Sequence, residues 1–432
     1  MKLACIGASY KFVRNVVADL LLAGGFDDLE VVVMDLDRRS LDIVVGACRT
    51  LVGAGRSRMK VAATLDRREA VGGADFVLTA IGVGGLAMWE EETRLCLEHG
   101  MVHAIGDTIG PAALSKALRT VPVMLGIARD MEELCPGAWL INVTNPLSTA
   151  VKAVSSLTKT KVIGLCDGSL GHRELIANVY GVEASRVSFD PVGVNHFAFT
   201  NHVSVDGRDV TASLYEDAAG SGASSLGEWR LGREIFRLMG GWLPLVEDRH
   251  LTEFFPFYVS AADGGRARYG AGPLDIPQRM KTRERMERDH VDLAAGKIRP
   301  GGLAAYRGEP LHSIICWLRG EGEGTHVVNV PNEGHCRDLR REAIVEISAR
   351  LSRDSVAPVD VGEGTLPPHV VSILNNLSVI HDCTVQAAVN GDRGKARQAL
   401  LLDPFLQNRD IVALVPELVD GIFRINRAYL PA

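Results

Sequence analysis

Cys166 and His196 are the two residues of this chain best suited to share a divalent ion. Cys166 closes the apolar run Val162-Ile163-Gly164-Leu165, and His196 lies in Gly193-Val194-Asn195-His196-Phe197. A thiolate with an imidazole is a borderline-soft donor pair suited to a transition ion. Two protein ligands leave coordination positions open for substrate hydroxyls, which suits a Lewis acid better than a closed structural site. From spacing alone, a buried cysteine and a core histidine explain the same two residues, and do so more often.

A second set of residues points to a dinucleotide. Gly7-Ala8-Ser9-Tyr10 follows an apolar run and precedes a helical pattern. Small residues at such a turn let backbone N–H groups approach a pyrophosphate at a helix N-terminus. Ala8 stands where the usual fingerprint has glycine, so the turn by itself also fits any tight strand–helix connection. Asp35, in Met34-Asp35-Leu36-Asp37 at the end of the next strand candidate, is placed to accept hydrogen bonds from ribose hydroxyls, which favours NAD over its 2′-phosphorylated relative. Ile81-Gly82-Val83-Gly84-Gly85 supplies another glycine-rich strand end, with Gly82 beside the cofactor. Ile141-Asn142-Val143-Thr144-Asn145-Pro146 is similar to the Asn-Pro turn near the nicotinamide in lactate and malate dehydrogenase-like proteins, which places Asn145 against the reacting hydroxyl. Asn-Pro turns also occur with no ligand.

These residues need a scaffold that brings strand ends together. Strands are expected at Leu3–Gly7, Glu30–Asp35, Lys60–Ala63, Asp75–Ile81, Val102–Ile105, Trp139–Val143 and Lys161–Leu165, with helices such as Asn15–Ala23 and Ser40–Val52 between them. That alternation predicts an α/β fold, a Rossmann-like doubly wound parallel sheet over residues 1–186. The character changes after Arg186, where a mixed α+β domain is expected over 187–432. Val187–Val205 reads as strand, turn and strand, and Asp206-Gly207 is a hairpin turn signal. Helices are expected to dominate from Gly227 onward and from Pro368 to Tyr429. Asp263–Asp275 reads as a glycine-rich surface loop or lid. The cleft between the two parts is the expected site.

Bulk properties narrow the classes. At 432 residues the chain exceeds one ordinary core. Its net charge of −6 and lack of a basic run disfavour a nucleic-acid partner. No apolar stretch approaches the roughly 20 residues that span a bilayer, so no membrane partner is expected. Eight cysteines lie without a CxxC pair, as expected of reduced thiols in a cytoplasmic protein.

Taken in order, these motifs resemble glycoside hydrolase family 4. Gly-Ala-Ser at the first turn, Val143-Thr144-Asn145-Pro146-Leu147, Gly164-Leu165-Cys166 and Gly193-Val194-Asn195-His196 carry the likeness. Asn329-Val330-Pro331-Asn332-Glu333-Gly334, Gly391-Asp392-Arg393 and Ala399-Leu400-Leu401-Leu402-Asp403-Pro404 extend it. Gly106-Asp107-Thr108-Ile109-Gly110-Pro111 and Glu247-Asp248-Arg249-His250-Leu251-Thr252-Glu253-Phe254-Phe255-Pro256 look like the α-galacturonidase and α-glucuronidase branch, whose substrates are unphosphorylated.

The resemblance implies NAD, a divalent metal such as Mn²⁺, and a small-molecule glycoside handled by a homodimer or homotetramer. It implies oxidation at C3 of the sugar, loss of the C2 proton, departure of the leaving group from C1, water addition and return of the hydride, an exception to the two-carboxylate rule. Cys166 and His196 would hold the ion, with Asn145 and Asn195 at the substrate. Asp248, or Tyr258, would be the base. Asp107 would protonate the leaving oxygen, for which burial must raise its pKa. Arg249 and His250 would face a uronate carboxylate. Asp167 stands where the family usually has histidine, a position beside substrate. Simpler explanations remain: Asp107 could cap the helix after Pro111, and Asp248-Arg249 could be a surface ion pair. The alternatives are a lactate/malate-type hydroxyacid dehydrogenase, although no His-Gly-Asp tripeptide is present, and a non-catalytic sugar-binding protein.

Overall fold

The structure is a computed structural model that describes residues 1–166, 168–219, 229–240, 242–256, 269, 272–301, 311–318, 321, 325–352, 355–406 and 410–431. Six parallel strands come first: β1 (Lys2–Ile6), β2 (Glu30–Met34), β3 (Lys60–Thr64), β4 (Phe76–Thr79), β5 (Trp139–Asn142) and β6 (Lys161–Gly164). They lie in the order β3-β2-β1-β4-β5-β6, the doubly wound arrangement. β1 shows why the fold forms. Leu3 and Cys5 pack with Val13, Val17, Leu41 and Val44 of the helices Val13–Ala23 and Arg38–Ala54. Ala4 and Ile6 point the other way, toward Met124, Ile127, Leu147 and Ala150 of the helices Pro111–Leu134 and Leu147–Leu157. The period of two thus buries both faces, and a fully buried leucine such as Leu3 contributes roughly 1.5–3 kcal/mol.

One expected strand is absent. Phe76 of β4 pairs directly with Trp139 of β5, so the sheet has no slot for Val102–Ile105. The segment is a loop, and three of its carbonyls accept from donors on three different segments rather than from a neighbouring strand. His103 accepts from the Leu274 N–H at 2.9 Å. Ala104 accepts from Arg249 Nη2 at 2.8 Å, and Ile105 from Trp89 Nε1 at 3.0 Å. Ala104 and Ile105 are buried all the same, which is why the stretch reads as a strand.

The sheet does not stop at the boundary expected near Arg186. Short strands β7 (Val187–Phe189), β8 (Val192–Val194), β9 (Phe197–Thr200), β10 (Val203–Val205) and β11 (Arg208–Asp209) follow, then β12 (Leu243–Pro244), β13 (His326–Pro331), β14 (Ile344–Leu351) and β15 (Val356–Pro358). β13 pairs antiparallel with β6 through Asn329 and Gly164, and the sheet continues through β14, β8, β9 and β12. Parallel and antiparallel halves therefore share one hydrogen-bonded surface. β7, β10 and β11 form a separate small sheet, and Asp206-Gly207 turns the β10–β11 hairpin with φ of 51° and 74°. β13 and β14 interrupt the helical second half that was expected. Their β-branched runs, Val327-Val328 and Ile344-Val345, suit a sheet. The helices Pro368–Asn390, Arg393–Leu402 and Ile411–Ile425 close the chain as expected. Among the described residues no helix is long and apolar enough to cross a membrane. In the expected lid, residues 263–268, 270 and 271 lie outside the described residues.

Candidate active site

The carboxyl ends of β1, β4 and β5 meet where the strand order reverses, the place where open α/β sheets bind ligands. Gly7 has φ of 104° and its N–H donates to the Met34 carbonyl at 2.8 Å. A Cβ there would stand 2.4 Å from the Ala80 carbonyl oxygen, so glycine is required by both conformation and space. Ala8 N–H donates to Asp35 Oδ2 at 2.7 Å, and Asp37 N–H to Asp35 Oδ1 at 2.9 Å. The Asp35 carboxylate thus ties the ends of β1 and β2 together. Ser9 precedes the helix Val13–Ala23, and Gly82 is exposed at the end of β4. Thr144 Oγ1 accepts from the Ile81 N–H at 3.0 Å, which holds the turn after β5 against the turn after β4.

From that turn the site passes to the second half. Asn145, followed by a cis peptide to Pro146, donates from Nδ2 to Asp107 Oδ2 at 3.2 Å. Asp107, His196 and His250 each offer a ligand atom, and these atoms lie within 4.8 Å of one another. Three separate elements deliver them: the loop before the helix Pro111–Leu134, the β8–β9 turn, and the helix Asp248–Phe254. The two imidazole rings lie against one another, centroids 3.7 Å apart and planes tilted by 38°.

Hydrogen bonding fixes how the imidazoles present themselves. Thr108 Oγ1 donates to Asp107 Oδ1 at 3.3 Å and lies 2.9 Å from His196 Nδ1. With its proton given to Asp107, Thr108 accepts one from His196 Nδ1, which puts the ring's lone pair on Nε2. His250 Nδ1 lies 3.2 Å from Glu253 Oε2, which sets the same tautomer. Glu253 is buried, and its other oxygen accepts from the Gly106 N–H at 2.6 Å. Carboxylates behind imidazoles in this manner orient metal ligands and raise their basicity.

The charges are mutually adjusted. Burial pushes the Asp107 carboxyl up, but Lys116, His250, His196 and Asn145 outweigh it and hold it below the usual carboxylate range. The raised pKa expected of a proton-donating Asp107 is therefore not found, because cations surround it. Burial pulls His250 down, while Glu253, Asp107 and Glu247 outweigh it and raise it above the ordinary histidine value. Burial lowers the Lys116 ammonium, against the pull of Asp107 and Glu92. Lys116 Nζ lies 3.8 Å and the Arg279 guanidinium 4.5 Å from the centroid of the Trp89 ring. Such cation–π contacts hold charges in place with part of their hydration removed.

Other expected site residues are placed differently. Cys166 Sγ accepts from the Gly168 N–H at 3.3 Å. A Cβ on Gly168 would be 3.5 Å from that sulfur and 3.7 Å from His196 Cδ2, so thiol and imidazole flank a common point. Asp248 is not brought to the cluster. Its two oxygens accept from the Leu231 and Gly232 N–H groups at 2.9 and 2.8 Å, anchoring the helix Arg230–Leu238. That corrects its expected role as base: helix N-terminal donors claim the carboxylate. Asn195 is 1% exposed and donates to Glu346 Oε2 at 3.1 Å, beneath the β8–β9 turn. Arg249 reaches the Ala104 carbonyl and His250 joins the cluster. Asp167 and Tyr258 lie outside the described residues. Sequence reasoning missed Thr108, Glu253, Lys116, Trp89 and Arg279. The His250–Glu253 spacing of three on a helix was the one available signal, since the others meet only through the fold.

Comparison with known proteins agrees with this geometry. Residues 2–182 match the family 4 glycosyl hydrolase model, and residues 191–406 match that of the family 4 glycosyl hydrolase C-terminal domain. The chain is similar to an alpha-galacturonidase of Bacillus subtilis, 29% identical with 94% of each chain covered. It is also similar to a 6-phospho-beta-glucosidase of Escherichia coli, 27% identical with 91% of this chain and 88% of that one covered. The fold matches the 6-phospho-beta glucosidase of Thermotoga maritima, a structure with manganese, NAD⁺ and glucose-6-phosphate. There the TM-score is 0.82 at 23% identity, with 100% of this chain and 99% of that one covered. The hydroxyacid dehydrogenase alternative is thereby set aside. With both halves matched, the chain belongs to family 4 of the glycosyl hydrolases and is a glycosidase.

Proposed function

We propose that this glycosidase uses NAD and a divalent metal ion, and that its substrate is an unphosphorylated uronide. The observation that carries the reading is the meeting of Asp107, His196 and His250 beside the Asn145 turn, with the Lys116 ammonium close enough to act on Asp107. The Gly7–Ser9 turn fits a dinucleotide pyrophosphate, because the backbone is bare where a Cβ would collide. NAD bound there would supply a hydride acceptor for C3 of the sugar. A carboxylate oxygen of Asp107 and a ring nitrogen each of His196 and His250, with the Cys166 thiol nearby, fit a borderline divalent ion such as Mn²⁺. A bound ion would supply a Lewis acid for the charge on O2 and O3.

The chain's own residues do the rest. Asn145, fixed by Asp107, orients the C3 hydroxyl. Lys116 and Arg279 face a substrate anion from the Trp89 ring, and Arg249 Nε is buried with no hydrogen-bond partner among the described residues. Half-buried cationic donors favour a ligand that brings negative charge. Asp107, held ionised, is a ligand or proton acceptor. With Asp248 committed to a helix terminus, Tyr258 takes the role of base at C2.

The test is a panel of nitrophenyl uronides, 6-phosphohexosides and neutral hexosides, each with and without NAD, Mn²⁺ and a thiol reductant. Cleavage of uronides that needs both additions is expected, with deuterium from solvent entering C2. A product carrying no label would refute the elimination. Preference for a 6-phosphohexoside, the class named for the Escherichia coli relative, would move the substrate assignment and leave the chemistry standing.

A further inference from the structure

Beneath the turn that carries His196 lies a carboxyl group that the chemistry above does not use. Glu346, on β14, is 2% exposed. Its Oε2 accepts from Asn195 Nδ2 at 3.1 Å and from Asn329 Nδ2 at 3.0 Å. Only burial and these two amides act on it, and among the described residues no cation does. A buried carboxyl without a cation is a costly choice where an apolar residue or an amide would fill the same space. Its position gives a reason for it.

Four residues form one row across the sheet. Gly164 of β6 pairs with Asn329 of β13, Asn329 with Glu346 of β14, and Glu346 with Gly193 of β8. The row begins two residues before Cys166 and ends three residues before His196. Both end glycines are packed too closely for a side chain. A Cβ on Gly164 would be 2.5 Å from Leu147 Cδ2, and one on Gly193 would be 2.3 Å from the Phe197 carbonyl oxygen. Asn195 lies outside the row and reaches back to it from the turn, and its N–H donates to Ser148 Oγ at 3.4 Å. The Asn195 and Asn329 amides thus meet on one oxygen, which couples the strand end of Cys166 to the turn of His196.

We propose that Glu346 is a positioning residue: through Asn195 and Asn329 it holds the Cys166 strand end and the His196 turn in the relative placement that a divalent ion needs. The inference rests on the metal reading given above. His196 sits at φ of 61°, a left-handed conformation that an L-residue keeps only when its surroundings over-determine it. The Asn195–Glu346 bond, one residue away, is placed to help do so from beneath, as Thr108 and His250 do from the side of the ring.

The test is Co²⁺ and Mn²⁺ binding to the full chain with NAD present, read by the thiolate-to-cobalt absorption band and by the Mn²⁺ spin-resonance signal. Glu346→Ala is expected to weaken binding about tenfold or more and to alter the cobalt band, as loss of groups behind metal ligands does. Glu346→Gln keeps an oxygen that accepts both amides and is expected to bind within about threefold of the parent, well short of that loss. Asn195→Ala, which leaves Glu346 in place, is expected to behave like Glu346→Ala. A Glu346→Ala protein that is still stabilised by NAD yet binds both ions like the parent overturns the proposal. If Glu346→Ala does not fold, parent-like binding by Asn195→Ala overturns it equally. A parent chain that binds neither ion overturns the metal reading itself, a result distinct from either variant outcome.

Discussion

Two of the strand ends beside the candidate site turn through left-handed backbone, and they do so with different residues. At the end of β1 the residue is Gly7, with φ of 104°. After β8 it is His196, with φ of 61°. Glycine adopts such a conformation without penalty, whereas an L-residue with a Cβ gives up roughly 1–2 kcal/mol. The first turn offers backbone alone, and a side chain there would strike the Ala80 carbonyl. The second turn places an imidazole beside Asp107 and His250, and the surroundings hold the strained conformation. Where a site presents N–H groups, evolution can use the cheapest residue; where it presents a side chain, the fold must support a conformation that the residue disfavours.

The largest effect that would sharpen this contrast is at Gly7. Gly7→Val is expected to abolish the rise in melting temperature on adding NAD and to cut kcat/KM by on the order of a thousandfold, since both φ and space forbid the side chain. Retained NAD stabilisation would break the comparison. At the second turn the order of stabilities is diagnostic. His196→Gly is expected to be more stable to urea than His196→Ala by about 1 kcal/mol, while both lose metal-dependent activity by roughly a hundredfold or more. Equal stability of the two variants would mean that the left-handed backbone carries no strain.

Smaller effects are expected behind the cluster. Glu253→Gln removes the carboxylate from His250 and is expected to cost about 10–100-fold in Mn²⁺ affinity. Because Glu253 helps to raise the His250 pKa, the acid limb of Mn²⁺ binding should move to lower pH in this variant. A limb that stays in place, or moves up, would remove Glu253 from the account. Asp403 supports the far end of the same loop. Burial pushes its carboxyl from 3.8 to about 7 against hydrogen bonds from the Phe405 and Gly110 N–H groups. The folded chain then keeps a proton that the unfolded chain releases, so stability falls as pH rises from about 4 to 7. Asp403→Asn is expected to remove this decline, on the order of a few kcal/mol, with little change in kcat. Urea midpoints at pH 5 and pH 8 would check it, and an unchanged decline would place the titration elsewhere.

Much of the first half could be read from the sequence because each strand end there is a local event. Gly7, Asp35, Gly82 and Asn145 all follow strands whose apolar runs announce them, and their positions are set within the turns themselves. Val102–Ile105 misled for the same reason: its apolar residues are buried, but in a loop that the β4–β5 pairing excludes from the sheet. The cluster was only partly legible. Asp107, His196 and His250 stand out as residue types, yet their meeting depends on a loop, a hairpin and a helix far apart in the chain. Asp248 and Asn195 lie beside true cluster members and have their side chains claimed by the Arg230–Leu238 helix terminus and by Glu346.

The sequence by itself determined the alternation of strands and helices, the glycine-bearing turns and the family motifs, because these follow from periodicity and backbone stereochemistry over a few residues. Only the tertiary structure decided which way each side chain points at a turn, and which charges it meets there. Asp107 became a held carboxylate because Lys116, His196 and His250 arrive from elsewhere in the chain. Such encounters are set by packing across a sheet that joins residues 2 to 358, and no local spacing encodes them.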